Sequence, residues 1–387
     1  GLAPEPADRY PSMHALVREL AATPGRRRRR MLLAAGVTLA LASSAITVAS
    51  VRGLSTATCS DPTEDLRGVW DDPVRDAGEA AYMASGLAHA DDVWTRLAPR
   101  IDEYAHAWRV AREQTCRARH ADGAGPDDVL QLRDACLLRR RAELAGLTTL
   151  LTRADEATVS AVIAAVDQLT PIAVCDDAET LRREATAVGP DGDPAALESM
   201  RREIVTLKTW VTAGHAQALA SRALALTASA RERGSPVVLA EALHLRAHVE
   251  EARGDHDAAA ASLTAAVHEA IAGRHDRLHA ELAVRLVWID GVLRRRTADA
   301  PTRVAHATAA IRAIRGEPLL AARLLDHRGA IASSDHDHAT AERLHREAIA
   351  LRAGLTPTSP IDQALSRSNL GLALLSQGKV DEAVAQG

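Results

Sequence analysis

Asn369-Leu370-Gly371-Leu372-Ala373-Leu374-Leu375-Ser376-Gln377-Gly378-Lys379-Val380-Asp381-Glu382-Ala383 decides how this chain is read. Apolar residues recur at helical spacing as far as Leu375, Gly378-Lys379 supplies a tight turn, and a second helix opens at Val380. Aligning Gly371 with Gly329, Trp288, Ala247 and Thr206 gives spacings of 42, 41, 41 and 41. Twelve residues after each stands an alanine: Ala218, Ala259, Ala300, Ala341 and Ala383. Two helices of a hairpin that cross closely need small side chains at the crossing, because anything larger than a methyl group forces them apart. Gly254-Asp255 repeats the turn of Gly378-Lys379 in an earlier copy.

This unit resembles the tetratricopeptide repeat, and its period, above the usual ~34, resembles the longer-helix subclass. About five units are expected over residues 177–387, the last stopping inside its second helix. The third is the least regular, with Trp288 and Arg295 at small-residue places and Pro301 opening its second helix. The resemblance places ligand contacts on the first helix of each unit. Carried over, these are Glu241, His244, His248 and Glu251, then Arg285, then Arg323 and Asp326, and finally Asn369, one place beyond the family's position. Their mixed signs favour a peptide or protein partner over a nucleic acid. His244 and His248 stand four apart, but the run is His-Leu-Arg-Ala-His, without the glutamate of a zinc hydrolase, so neither catalytic nor structural metal is expected.

At the other end of the chain, Arg26 to Arg30 run directly into Met31 to Val51, 21 residues without a charge. As a helix that stretch reaches about 31 Å, near the hydrocarbon thickness of a bilayer. The arginines would stay on the cytoplasmic side. The expectation is a single-pass bacterial inner-membrane protein, N-terminus cytoplasmic and C-terminal region extracytoplasmic, contacting the membrane through Met31 to Val51. The expected fold class is all-α: a single transmembrane helix, a small helical domain, then a tetratricopeptide-like α-solenoid. The expected segments are 1–24, 25–52 (basic run plus span), 53–176 and 177–387.

All four cysteines, Cys59, Cys116, Cys136 and Cys175, lie in the 53–176 segment, which suits two disulfides on an exported side. Helices from about Asp91 to Arg119 and Asp127 to Thr152 flank Pro126, with Cys116 and Cys136 ten residues either side of it. An antiparallel hairpin centred there predicts Cys116 with Cys136 and leaves Cys59 with Cys175. Trp70, Tyr82, Trp94, Tyr104 and Trp108 crowd this segment and predict a core of its own.

Residues 1–20 resemble the end of a bacterial serine/threonine protein kinase C-lobe. Leu2, Glu5, Pro6, Arg9, Tyr10 and Ser12 occupy the places of the family pattern, with Glu5 for the usual aspartate. The resemblance gives Arg9 a structural role, a buried ion pair with a glutamate of the catalytic lobe outside this chain. Leu66-Arg-Gly-Val-Trp-Asp71 and Cys136-Leu-Leu-Arg-Arg resemble the segment between span and repeats in myxobacterial-type kinases with tetratricopeptide tails.

Catalysis is not expected from the residues themselves. No His-Arg-Asp occurs, and a chain without phenylalanine has no Asp-Phe-Gly, so ATP and Mg would belong to the missing kinase lobe and this chain needs no cofactor. With aromatics at 2% and a net charge of -4, apolar content rests on Ala, Leu and Val, as in closely packed helices, and nothing beyond the arginine run points to nucleic acid. The expected function is the extracytoplasmic sensor and protein-interaction region of a transmembrane serine/threonine kinase, with homodimerisation as one route of signalling. The alternative is a soluble tetratricopeptide adaptor without kinase activity.

Overall fold

The computed structural model describes residues 3–21, 59, 61–86, 89–120, 127–153, 162, 165–166, 169–186, 193–314, 317–354 and 360–386. The chain divides into two compact units, Gly1–Cys59 and Ser60–Gly387. In the first, a turn at Pro6–Asp8 precedes α1 (Met13–Ala21), which buries none of its residues.

In the second unit, α2 (Pro62–Asp65), α3 (Asp72–Ala84), α4 (Ala90–His120) and α5 (Asp127–Leu151) lead through α6 (Ala178–Thr186) into a series of helix pairs. The pairs are α7 (Pro194–Thr212) with α8 (Ala216–Glu232), α9 (Pro236–Ala252) with α10 (His256–Ala272), and α11 (Asp276–Trp288) with α12 (Ala300–Ala313). They continue as α13 (Pro318–Ser334) with α14 (His338–Ala353), and α15 (Pro360–Leu375) with α16 (Val380–Val384). Four of the five first helices start at a proline, Pro194, Pro236, Pro318 and Pro360. Proline suits that position because its missing N–H would have no intrahelical acceptor anyway. Asp193 and Ser235 cap the first two, accepting from Ala195 and Val238 N–H.

The expected fold class is corrected in one part. The architecture is all-helical, but among the described residues no helix is long and apolar enough to cross a membrane. The long helices carry charges that a span would not: α4 has Asp91, Asp92, Arg96 and Arg100 within its first turns, and α5 has Arg139, Arg140, Arg141 and Glu143. Met31 to Val51, on which the transmembrane expectation rested, lies outside the described residues.

The aromatic core expected around α4 is present. Trp108 and Tyr82 are fully buried, Tyr82 and Trp70 each stack at a tilt on Trp94, and the Trp108 indole donates to the Leu137 carbonyl at 2.7 Å. That last bond also sets the hairpin's register and overturns the expected cysteine pairing. Trp108 opposite Leu137, with Arg112 on Asp134 and Arg133 on Gln114, sets Cys116 opposite a residue near 130 of α5 and not opposite Cys136. The shift leaves Cys116 about two turns nearer the hairpin tip than Cys136, roughly 10 Å away along the axis. Cys136 instead joins Cys175, Cα–Cα 5.6 Å, so Cys116–Cys136 and Cys59–Cys175 are both excluded. None of the four cysteines is free.

Helix α5 lies against α7. Gly146 permits the approach, since a Cβ there would stand 3.0 Å from the Thr206 methyl, and the Trp210 indole donates to the Gly146 carbonyl at 2.9 Å. Residues 60–387 are therefore one body, with the change from aromatic hairpin to helix pairs occurring inside it.

The alanine column is buried at Ala259, Ala300, Ala341 and Ala383, while Ala218 is exposed and Leu219 takes its place. Gly254 and Gly378 adopt left-handed φ of 81° and 77° at the turns, as only glycine does without strain. In the irregular third pair α11 ends at Trp288 in a single π turn, Ile289–Leu293, where Gly291 leaves room for the Ile331 side chain. Asp290 is buried there and held by Arg294 at 2.6 Å and Arg303 at 2.9 Å.

Candidate functional site

The first helices of successive pairs are tied side by side by ion pairs. Arg201 of α7 grips Glu241 of α9, both Nε distances being 3.0 Å, and Arg285 of α11 grips Glu251 of α9. Arg277 of α11 reaches Glu317 at the head of α13 (3.0 Å), and Arg323 of α13 reaches Asp362 of α15 (3.3 Å). The row starts in α5, where buried Arg139 meets Glu198 of α7 at 2.8 Å.

On α9, Glu241, His244, His248 and Glu251 fall three, four and three residues apart, one stripe of a helix. Its two ends are closed by Arg201 and Arg285. Its middle is open: His244 and His248 are half-buried, and among the described residues neither ring nitrogen has a hydrogen-bond partner. Lys208 of α7 makes no ion pair among the described residues, and its charge acts on both rings and on the Glu281 carboxylate of α11.

Electrostatics follow from this crowding. Burial, with Lys208 and Arg285 close by, keeps His248 neutral down to about 3 and holds His244 well below the ordinary histidine range. Burial and Arg285 push His327 of α13 down to about 3 as well, although its Nδ1 lies 3.1 Å from the Val284 carbonyl and its ring stacks at 5.3 Å on Trp288. Burial by itself would raise the Glu241 carboxyl, yet the Arg201 guanidinium brings it down to about 2.

The other sequence candidates are placed differently. Asp326 is committed inside the stack: its carboxylate takes His345 Nδ1 at 3.0 Å, Arg352 at 2.6 Å and Ser366 Oγ at 2.8 Å. A serine, a histidine and an aspartate meet here, but the order is wrong for a nucleophile relay. Both Ser366 and His345 bond the aspartate, while the free edge of the imidazole faces Gly329, and Ser366 is fully buried. The cluster staples α13, α14 and α15 together. Asn369 is half-buried on α15 and takes part in none of these bonds. Arg9 is exposed in the N-terminal unit and donates to the carbonyls of Ala3 and Pro4 at 2.9 and 3.3 Å.

Sequence reasoning missed Lys208, His327 and Arg201. Arg201 and Glu241 are 40 residues apart, so the pair joins positions that the 41-residue column does not align.

No protein-family model matches this chain, and no curated protein matches it. Among solved structures, the crystal structure of BtubC (BKLC) from P. vanneervenii is similar over 54% of this chain and 87% of that one, at 20% identity and a TM-score of 0.42. A likeness at that level does not bear on function. What the chain itself defines is an all-helical protein of recurring helix pairs whose first helices share a polar face.

Proposed function

We propose that this chain is a partner-binding module that holds a peptide across the first helices of its pairs and performs no chemistry itself. The observation that carries this reading is the α9 stripe, whose ends are fixed by Arg201 and Arg285 while His244 and His248 stay open between them. Fixed ion pairs pre-organise the face, which lowers the entropic cost of binding an extended chain. The kinase-tail resemblance of residues 2–12 extends the proposal: the bound partner would be reported to a serine/threonine kinase lobe. The adaptor alternative shares the same binding face and lacks that lobe.

A displayed library of random peptides panned on the full chain tests the reading. Enriched peptides should lose affinity about tenfold or more when Arg285→Glu reverses one wall of the face. No enrichment, or enriched peptides indifferent to Arg285→Glu, would sink it.

A further inference from the structure

We propose that His279 of α11 and His306 of α12 form a binding site for a divalent transition-metal ion of the zinc class, which clips the two helices of the third pair together. The inference is independent of the peptide-binding reading, since neither histidine lies on the α9 stripe.

The two rings meet tip to tip. Nε2 of His279 stands 2.8 Å from Nε2 of His306, with the ring centroids 5.0 Å apart. Between neutral rings this contact is one hydrogen bond, in which Nε2–H of one ring donates to the bare Nε2 of the other. An ion that holds imidazole nitrogens at about 2.0–2.1 Å sets two neighbouring ligand atoms about 3 Å apart. The nitrogens therefore already have the spacing of a chelate, and small rotations turn both lone pairs onto one ion. The donating ring carries its proton on Nδ1 instead, so both rings stay neutral and no proton is released. Packing fixes the pair. Leu278 and Ala280 flank His279, Ala307 follows His306, and all three are buried, with Ala280 and Ala307 in one core. Both rings are half-buried, which leaves a side open to the ion and its waters. Asp276, one turn before His279 on α11, acts on that ring in the sense that favours a cation beside it. No group of three metal-ligating side chains occurs among the described residues, so water fills the remaining positions. Imidazole suits zinc, copper and nickel, whereas magnesium prefers oxygen. The pair lies 27 residues apart on two helices and so leaves no motif in the sequence.

Calorimetric titration of the tag-free, EDTA-treated full chain with zinc chloride provides the test. Zinc should bind saturably and raise the melting temperature, and magnesium chloride should do neither. His279→Gln and His306→Gln should each weaken zinc at least about tenfold, because each leaves a single nitrogen in place of the chelate. Melts without metal confirm that both variants fold. Copper(II) on the unmutated chain supplies a readout that needs no variant: its electron paramagnetic resonance spectrum should carry hyperfine structure from imidazole nitrogen. Zinc that does not bind, or that binds folded His279→Gln or His306→Gln as tightly as the unmutated chain, overturns the inference. A copper spectrum without imidazole nitrogen overturns it as well.

Discussion

The imidazole of His345 occupies the space that a side chain at residue 329 would need: a Cβ there would stand 2.6 Å from Nε2 and 2.7 Å from Cε1. The small residue at this crossing is thus set by a histidine, whereas at Gly371 the nearest atom is the Ala383 carbonyl at 3.8 Å. His345 cannot retreat, because its other nitrogen is held by Asp326. Gly329→Ala should therefore cost about 1–3 kcal/mol of stability in urea unfolding. In a His345→Ala background the same change should cost at least about 1 kcal/mol less, and additive costs would show that the contact does not limit residue 329.

Stability should fall on mild acidification. His244, His248, His279 and His327 all have pKa values lowered from the unfolded 6.5, chiefly by burial. His279 has in addition His306 beside it, Nε2 to Nε2 at 2.8 Å. Below 6.5 the unfolded chain takes up protons that the folded chain refuses, so the contribution is fully present above that pH and is lost as pH falls through it. Each such ring adds up to about 1.4 kcal/mol per pH unit, less where solvent reaches it. Urea midpoints measured between pH 7.5 and 5 should fall steadily, and His248→Gln should flatten the slope by up to one proton. A midpoint independent of pH over that range would contradict the burial of these rings.

His336 adopts a φ of 63° at the turn into α14, where equivalent turns use Gly254 and Gly378. The left-handed conformation costs a residue with a Cβ about 1 kcal/mol. His336→Gly should raise stability by about that amount in urea unfolding, and His336→Ala, which keeps the Cβ, should not.

The Cys136–Cys175 bridge closes a loop with a sequence separation of 39. Loop-closure entropy assigns such a bridge about 4 kcal/mol. The Cys136→Ala, Cys175→Ala double variant should lose stability of that order under oxidising conditions, with hydrogen exchange accelerating first in α5. A loss below about 1 kcal/mol would mean that packing around Trp108 already fixes the hairpin in the unfolded ensemble.

The helix pairs were readable because steric crossing and turn glycines leave local marks, and the marks at Ala259, Ala341, Ala383, Gly254 and Gly378 stand where the structure uses them. The cysteine pairing was not readable. It depends on the register of α4 against α5, and the bond from Trp108 to Leu137 fixes that register between residues that no local pattern connects. Glu241, His244, His248, Glu251 and Arg285 do share one face, since spacing on a helix determines facing. Lys208 escaped because the small-residue period marks helix crossings and does not say which cation lies opposite α9. Asp326 had the right spacing and a different use, decided by His345, Arg352 and Ser366 on helices that no local pattern connects.

Arg139 sits three residues from Cys136 on α5 and bonds Glu198, next to Arg201 and hence to Glu241. The acid end of the α9 stripe is therefore moored, through alternating charges, to the helix that bears the disulfide. A chain cut at residue 176 keeps every helix pair yet strands Glu198 without Arg139 and bares the side of α7 that Gly146 and Trp210 seal. The hairpin before the pairs is the end plate on which the binding surface is tensioned, and a fragment that omits it is a different surface.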